Sequence, residues 1–62
     1  MIQELIYDDQ GRVIGEIRER DAKYEVWKRE RTQDPPGSKH QFLGRINDLK
    51  EARRVARVYI LS

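Results

Sequence analysis

Apolar and polar residues alternate through the first half of the chain with a period of two, and only later does the spacing change to that of a helix. Ile2 to Tyr7 are mostly β-formers, "DDQG" breaks the run, and Val13 to Arg20 resumes it, which predicts a hairpin. Gly11 is the natural left-handed position in that turn, because it carries no Cβ to clash there. Alternation puts Val13, Gly15 and Ile17 on one side of the second strand, with Ile14, Glu16, Arg18 and Arg20 on the other. After "ERDAK", where Asp21 favours a turn, Lys23 to Glu30 reads as a third strand. Tyr24 and Val26 then face the core, while Glu25, Trp27 and Arg29 face away. "TQDPPGS", positions 32–38, has two consecutive prolines and a glycine, and is expected to be a mobile Pro/Gly loop. "HQFLGRI" follows as a fourth strand, with Phe42 or Leu43 as its buried anchor; alternation does not choose between them.

From Asp48 onward the period becomes helical. Leu49, Ala52, Ala56, Tyr59 and Ile60 gather on one face at about 100° per residue, with Val55 at its edge. Asp48 followed by Glu51 is the aspartate form of a capping box, in which each side chain satisfies an otherwise unpaired backbone N–H. The stretch "RVYIL" has two readings: the end of this helix, or an extra edge strand favoured by its β-branched and aromatic residues. The predicted class is α+β, an antiparallel meander of three or four strands with one C-terminal helix packed on one face, in a single small domain over 1–62.

Composition adjusts this picture in two ways. Charged residues make up 39 % of the chain, yet Leu, Ile, Val and Phe number 15 of 62 and the net charge is only +2. That combination lies on the folded side of the disorder boundary. A chain of this size buries only about 60 % of its unfolded surface. Without cysteine it has neither a disulfide framework nor a thiolate metal site, so self-association is the remaining staple. The start, MIQELIYDDQGR, lacks a basic segment followed by an apolar run, and no stretch approaches the roughly 20 apolar residues of a membrane span. A cytoplasmic location without membrane contact is expected. Charge is uneven: residues 1–31 hold seven Lys or Arg against eight Asp or Glu, and residues 32–62 hold six against three.

Catalytic chemistry is not suggested. His40 is the single histidine and has no second His or Cys to complete a metal site. Asp8 and Asp9 are turn neighbours rather than facing carboxylates, and neither Gly11 nor Gly15 precedes a helix as a phosphate loop would require. The expectation is a non-catalytic interaction module without cofactor or metal. Three surfaces could carry a partner. Lys50, Arg53, Arg54 and Arg57 fall within an arc of roughly 100° on the helix, with Glu51 as the one acidic neighbour. That stripe is a solvated face, a nucleic-acid contact or a contact for an acidic protein partner. Trp27 lies on the sheet face away from the helix, flanked by Arg18 and Arg29, where it is a structural ring over Arg stems, a protein interface, or, as an aromatic ring among arginines, a platform that stacks a base and holds phosphates. Val58 and Leu61 point away from the packed face of the helix, and apolar groups so placed favour a protein partner or a twofold copy.

A sheet carrying Trp27, a strand end near Phe42–Ile46 and a helix start at Asp48–Ala52 together resemble the arm-type DNA-binding domains at the N-termini of phage-type tyrosine recombinases. The resemblance spans roughly the last 40 residues. It implies a three-stranded sheet whose outward face enters the major groove, with Arg18, Trp27 and Arg29 as the contacting positions. The chain departs from that pattern in carrying Glu16 and Glu25 on the same face, and in a net charge of only +2.

Overall fold

The computed structural model describes residues 1–33 and 35–61. Its elements are β1 (Ile2–Tyr7), β2 (Val13–Arg20), β3 (Lys23–Gln33), β4 (Pro36–Ile46) and α1 (Leu49–Tyr59). The strands form one sheet in the order β1-β2-β3-β4, every neighbouring pair antiparallel. The single helix packs on one face of that sheet, so the class is α+β as expected.

Turn chemistry explains the meander. Asp8 organises the first hairpin: its Oδ1 accepts the backbone N–H of Gln10 and of Arg12, and Gly11 takes a φ of 80°. The second hairpin closes from Arg20 to Lys23 through Asp21 and Ala22, both at positive φ, as a tight primed turn demands. The third differs from expectation. Thr32 and Gln33 belong to β3, while Pro36, Gly37 and Ser38 belong to β4, paired Gln33 with Pro36, Thr32 with Gly37 and Arg31 with Ser38. Most of the expected loop is therefore ladder. Pro36 is tolerated because it is the first residue of an edge strand, where its missing N–H costs little. Asp34, also within the expected loop, and Ser62 lie outside the described residues.

Two register shifts decide which side chains are buried. Leu43 is the extra residue where β4 shifts against β3 between the pairs Val26–Gly44 and Trp27–Phe42. A bulge of this kind lets consecutive residues depart from strict alternation. Leu43 consequently joins the core, and Phe42 stays 50 % exposed on the far side. Ile14 plays the same part in β2, between the pairs Ile6–Gly15 and Tyr7–Val13. It packs against the core cluster, so the expected assignment of Val13 inward and Ile14 outward is reversed there.

The core is one thin layer: Ile17, Val26, Ala52, Ala56 and Ile60, bordered by Ile6, Ile14, Tyr24, Leu43, Ile46, Leu49 and Val55. Helix and sheet approach closely because small residues meet. A Cβ built on Gly15 would stand 2.7 Å from Ile60 Cδ1 and 3.0 Å from the Trp27 carbonyl oxygen. Asp48 caps the helix by accepting the Lys50 N–H at 3.2 Å. Glu51 instead approaches Arg54 Nη1 at 3.7 Å, and among the described residues the reciprocal half of the capping box is not made. The helix continues to Tyr59 and closes with the Ile60 N–H donating to the Ala56 carbonyl, so "RVYIL" is a helix end and not a strand. Among the described residues, no helix is long and apolar enough to cross a membrane.

Candidate nucleic-acid interface

The four helix basics do not act as one free stripe. Arg53 reaches across to β1 and forms a two-pronged pair with Glu4, Nε to Oε1 at 2.8 Å and Nη2 to Oε2 at 2.9 Å. The Arg53 hydrogen bond holds the Glu4 carboxyl below its ordinary range, against a smaller opposing effect of burial, and the same bond raises the Arg53 guanidinium. Such fork-to-fork geometry fixes direction better than a single contact. Reading the helix alone missed it, since the partner lies 49 positions away. Arg54 leans toward Glu51. Among the described residues, Lys50 and Arg57 are the two members with no ion-pair partner.

The sheet face opposite the helix is built from cross-strand rows. Leu5, Glu16, Trp27 and Phe42 form one row, and Ile2, Arg18, Glu25 and Arg45 the next. Further along the β3–β4 hairpin, Arg29 pairs with His40 and Arg31 with Ser38. The Arg18 guanidinium lies 4.6 Å from the centroid of the Trp27 ring, and Trp27 meets Phe42 in a tilted contact, centroids 5.2 Å apart at 59°. Both arrangements are favourable, a cation over a ring face and two rings inclined to one another rather than stacked face to face. Trp27 Nε1 donates a long bond to Glu25 Oε1 at 3.3 Å.

Glu16 makes this face unusual. Although on the side without the helix, it is only 3 % exposed. Its carboxylate accepts the Arg18 Nε–H and lies 3.7 Å from His40 Nε2. A carboxylate so buried requires a charged or hydrogen-bonding neighbour, and Arg18 supplies it while its guanidinium lies over the indole. Arg45 is 3.7 Å from Asp21 in the β2–β3 turn. The sequence placed Arg18, Trp27 and Arg29 on this face correctly. It left Phe42 and Leu43 undecided, a choice the Leu43 bulge makes, and it placed Glu16 on this face without a sign of its burial, because a polar residue in an alternating strand is ordinarily solvated.

The third surface is the helix end. Val58 and Leu61 are each 50 % exposed, as expected, and Tyr59 is 64 % exposed. Tyr59 was expected on the packed face. The packed seam follows Leu49, Ala52, Ala56 and Ile60, so Tyr59 falls on its flank and, with Val55, Leu43 and Ile46, lines an open groove beside β4. Comparison with known proteins finds no matching family model, no matching curated protein and no matching solved structure.

Proposed function

We propose that this chain is a small non-catalytic module that contacts nucleic acid through the open face of its sheet. The observation that carries the reading is the aromatic pair of Trp27 and Phe42 set among arginines on the one sheet face the helix leaves uncovered. Arg18, Arg20, Lys23, Arg29, Arg31 and Arg45 surround it against Glu16 and Glu25, and Glu16 is already engaged by Arg18. Aromatic rings on an open sheet can take bases while arginines take phosphates. The helix stripe is the weaker surface for the same ligand. It lies on the other side of the sheet, and its central Arg53 is committed to Glu4. The resemblance to arm-type domains points to the same open face. The cytoplasmic location expected from the sequence is part of this reading.

The test follows Trp27 fluorescence during titration with a mixed-sequence duplex and a mixed-sequence single strand. With about three or four phosphates engaged on a duplex, affinity should fall roughly 40- to 150-fold between 50 and 200 mM salt. If neither oligonucleotide gives a saturable signal at 50 mM salt, the reading fails.

A second reading rests on the helix end. Val58, Tyr59 and Leu61 form an exposed apolar cluster, and a twofold copy seated there would enlarge a thin core. Sedimentation equilibrium would then give a mass rising from 7.4 kDa toward twice that value with concentration, and Leu61→Glu would return it to the monomer. A mass that stays monomeric at millimolar concentration removes this reading.

A further inference from the structure

Beside the open face, a cleft of about 190 Å³ lies between the β1–β2 turn and the outer half of β3, lined by Asp8, Arg12, Val13, Ile14, Arg29 and Arg31. We propose that this cleft is a phosphodiester-binding site, in which Arg12, Arg29 and Arg31 hold one phosphate of a nucleic-acid backbone at the edge of the face that contacts the bases. The proposal rests on the open-face reading and adds to it a separate anchor with its own residues.

Four features favour phosphate there. First, the charge is unbalanced: among the described residues, three arginines share the cleft with one carboxylate. Glu30, which falls between Arg29 and Arg31 in the chain, points to the other side of the strand and approaches Lys28 Nζ at 3.7 Å. No described carboxylate lies within ion-pair distance of Arg29 or Arg31. Second, the one acid present is occupied. Asp8 spends Oδ1 on the backbone N–H groups of Gln10 and Arg12, and Oδ2 on Arg12 Nε at 2.9 Å. Asp8 thereby fixes the Arg12 stem to the turn while the side chain remains 59 % exposed. Third, planar guanidinium forks match phosphate oxygens in pairs, which a lysine cluster would not do. Fourth, Val13, which the register shift at Ile14 turns to this side, adds an apolar wall suited to the carbon face of a sugar adjoining the phosphate. Position supports the assignment too, because Arg31, Arg29 and Trp27 follow one another on the same strand face at steps of roughly 7 Å. A strand lying over Trp27 and Phe42 would continue along β3 into the cleft.

The experiment reads the cleft and the open face separately. In the first arm, inorganic phosphate is titrated against chloride at matched ionic strength, and the Nε–Hε signals of the arginines are followed by NMR. Saturable shifts at Arg12, Arg29 and Arg31 that phosphate causes and chloride does not are expected, weakened in Arg31→Gln and lost in Arg12→Gln/Arg31→Gln. In the second arm, duplex affinity is measured against salt. Arg31→Gln, which leaves the Asp8 turn intact, should lower affinity several-fold, and the double variant about tenfold, with the logarithmic salt slope shallower by about one, the contribution of a single phosphate. If phosphate moves no arginine of the cleft, or if both variants keep the wild-type affinity and slope, the cleft proposal is overturned while open-face binding stands. If the wild-type protein binds no oligonucleotide but phosphate still moves the three arginines, the open-face reading and the nucleic-acid part of this proposal both fail, leaving an anion site of another kind.

Discussion

Ile17→Ala is expected to lower the melting temperature by roughly 10–40 °C, from a loss of about 2–5 kcal/mol on truncating a fully buried aliphatic side chain. Ile17 is 1 % exposed at the centre of β2, paired with Glu4 on one side and Val26 on the other. A chain of this length has only about 3–9 kcal/mol of stability in total. The loss is large because the layer cannot close over the cavity. Gly15 and the two buried alanines already hold helix and sheet in contact, and Ile60 sits against Gly15 with no room to approach further. The larger side chains that border the layer, among them Ile6, Leu43 and Ile46, are held by their own strand positions at its rim. Circular dichroism melts of wild type, Ile17→Ala and Ile17→Val would measure this, with Ile17→Val falling between the other two. A melting temperature for Ile17→Ala within about 5 °C of wild type would mean that the core tolerates a cavity, contrary to the thin-layer account.

That core was legible where it depends on local pattern. Ile17, Val26, Ala52, Ala56 and Ile60 all come from two-residue or helical periodicity, and the bounds of β1 and β2 follow from the turn residues Asp8, Gly11 and Asp21. What could not be read depends on register. Leu43 and Ile14 are inserted residues in their strands, and nothing in the neighbouring residue types marks an insertion, because Phe42 and Leu43, or Val13 and Ile14, are equally apolar. The β3–β4 hairpin was drawn too short because two prolines suggested the absence of a ladder, whereas a proline opening an edge strand costs little there. For the candidate site, the same distinction holds. Alternation placed Arg18, Trp27 and Arg29 together, but the Arg53–Glu4 pair requires knowing that the folded helix brings Arg53 within side-chain reach of β1, and the buried state of Glu16 requires knowing that Arg18 turns back to it.

Replacing the exposed ring on the open face should separate base contacts from phosphate contacts. Phe42→Ala is expected to weaken single-strand binding about 5- to 150-fold, the range that loss of about 1–3 kcal/mol of stacking implies, with little change in the salt slope. Phe42 suits the test because half of its surface is exposed and it stands outside the core cluster, so the fold should tolerate its loss. Trp27→Ala should weaken binding further, but it also removes the ring on which the Arg18 guanidinium rests, so its effect mixes stacking with the position of a phosphate ligand. Arg45→Gln supplies the opposite control: a shallower salt slope with the aromatic pair intact. A loss confined to single strands would assign the rings to stacked bases. Equal losses on duplex and single strand would assign them to the fit of the sheet in a groove. Wild-type affinity of both Phe42→Ala and Trp27→Ala for both ligands would remove the aromatic pair from the interface, and with it the observation on which the open-face proposal stands.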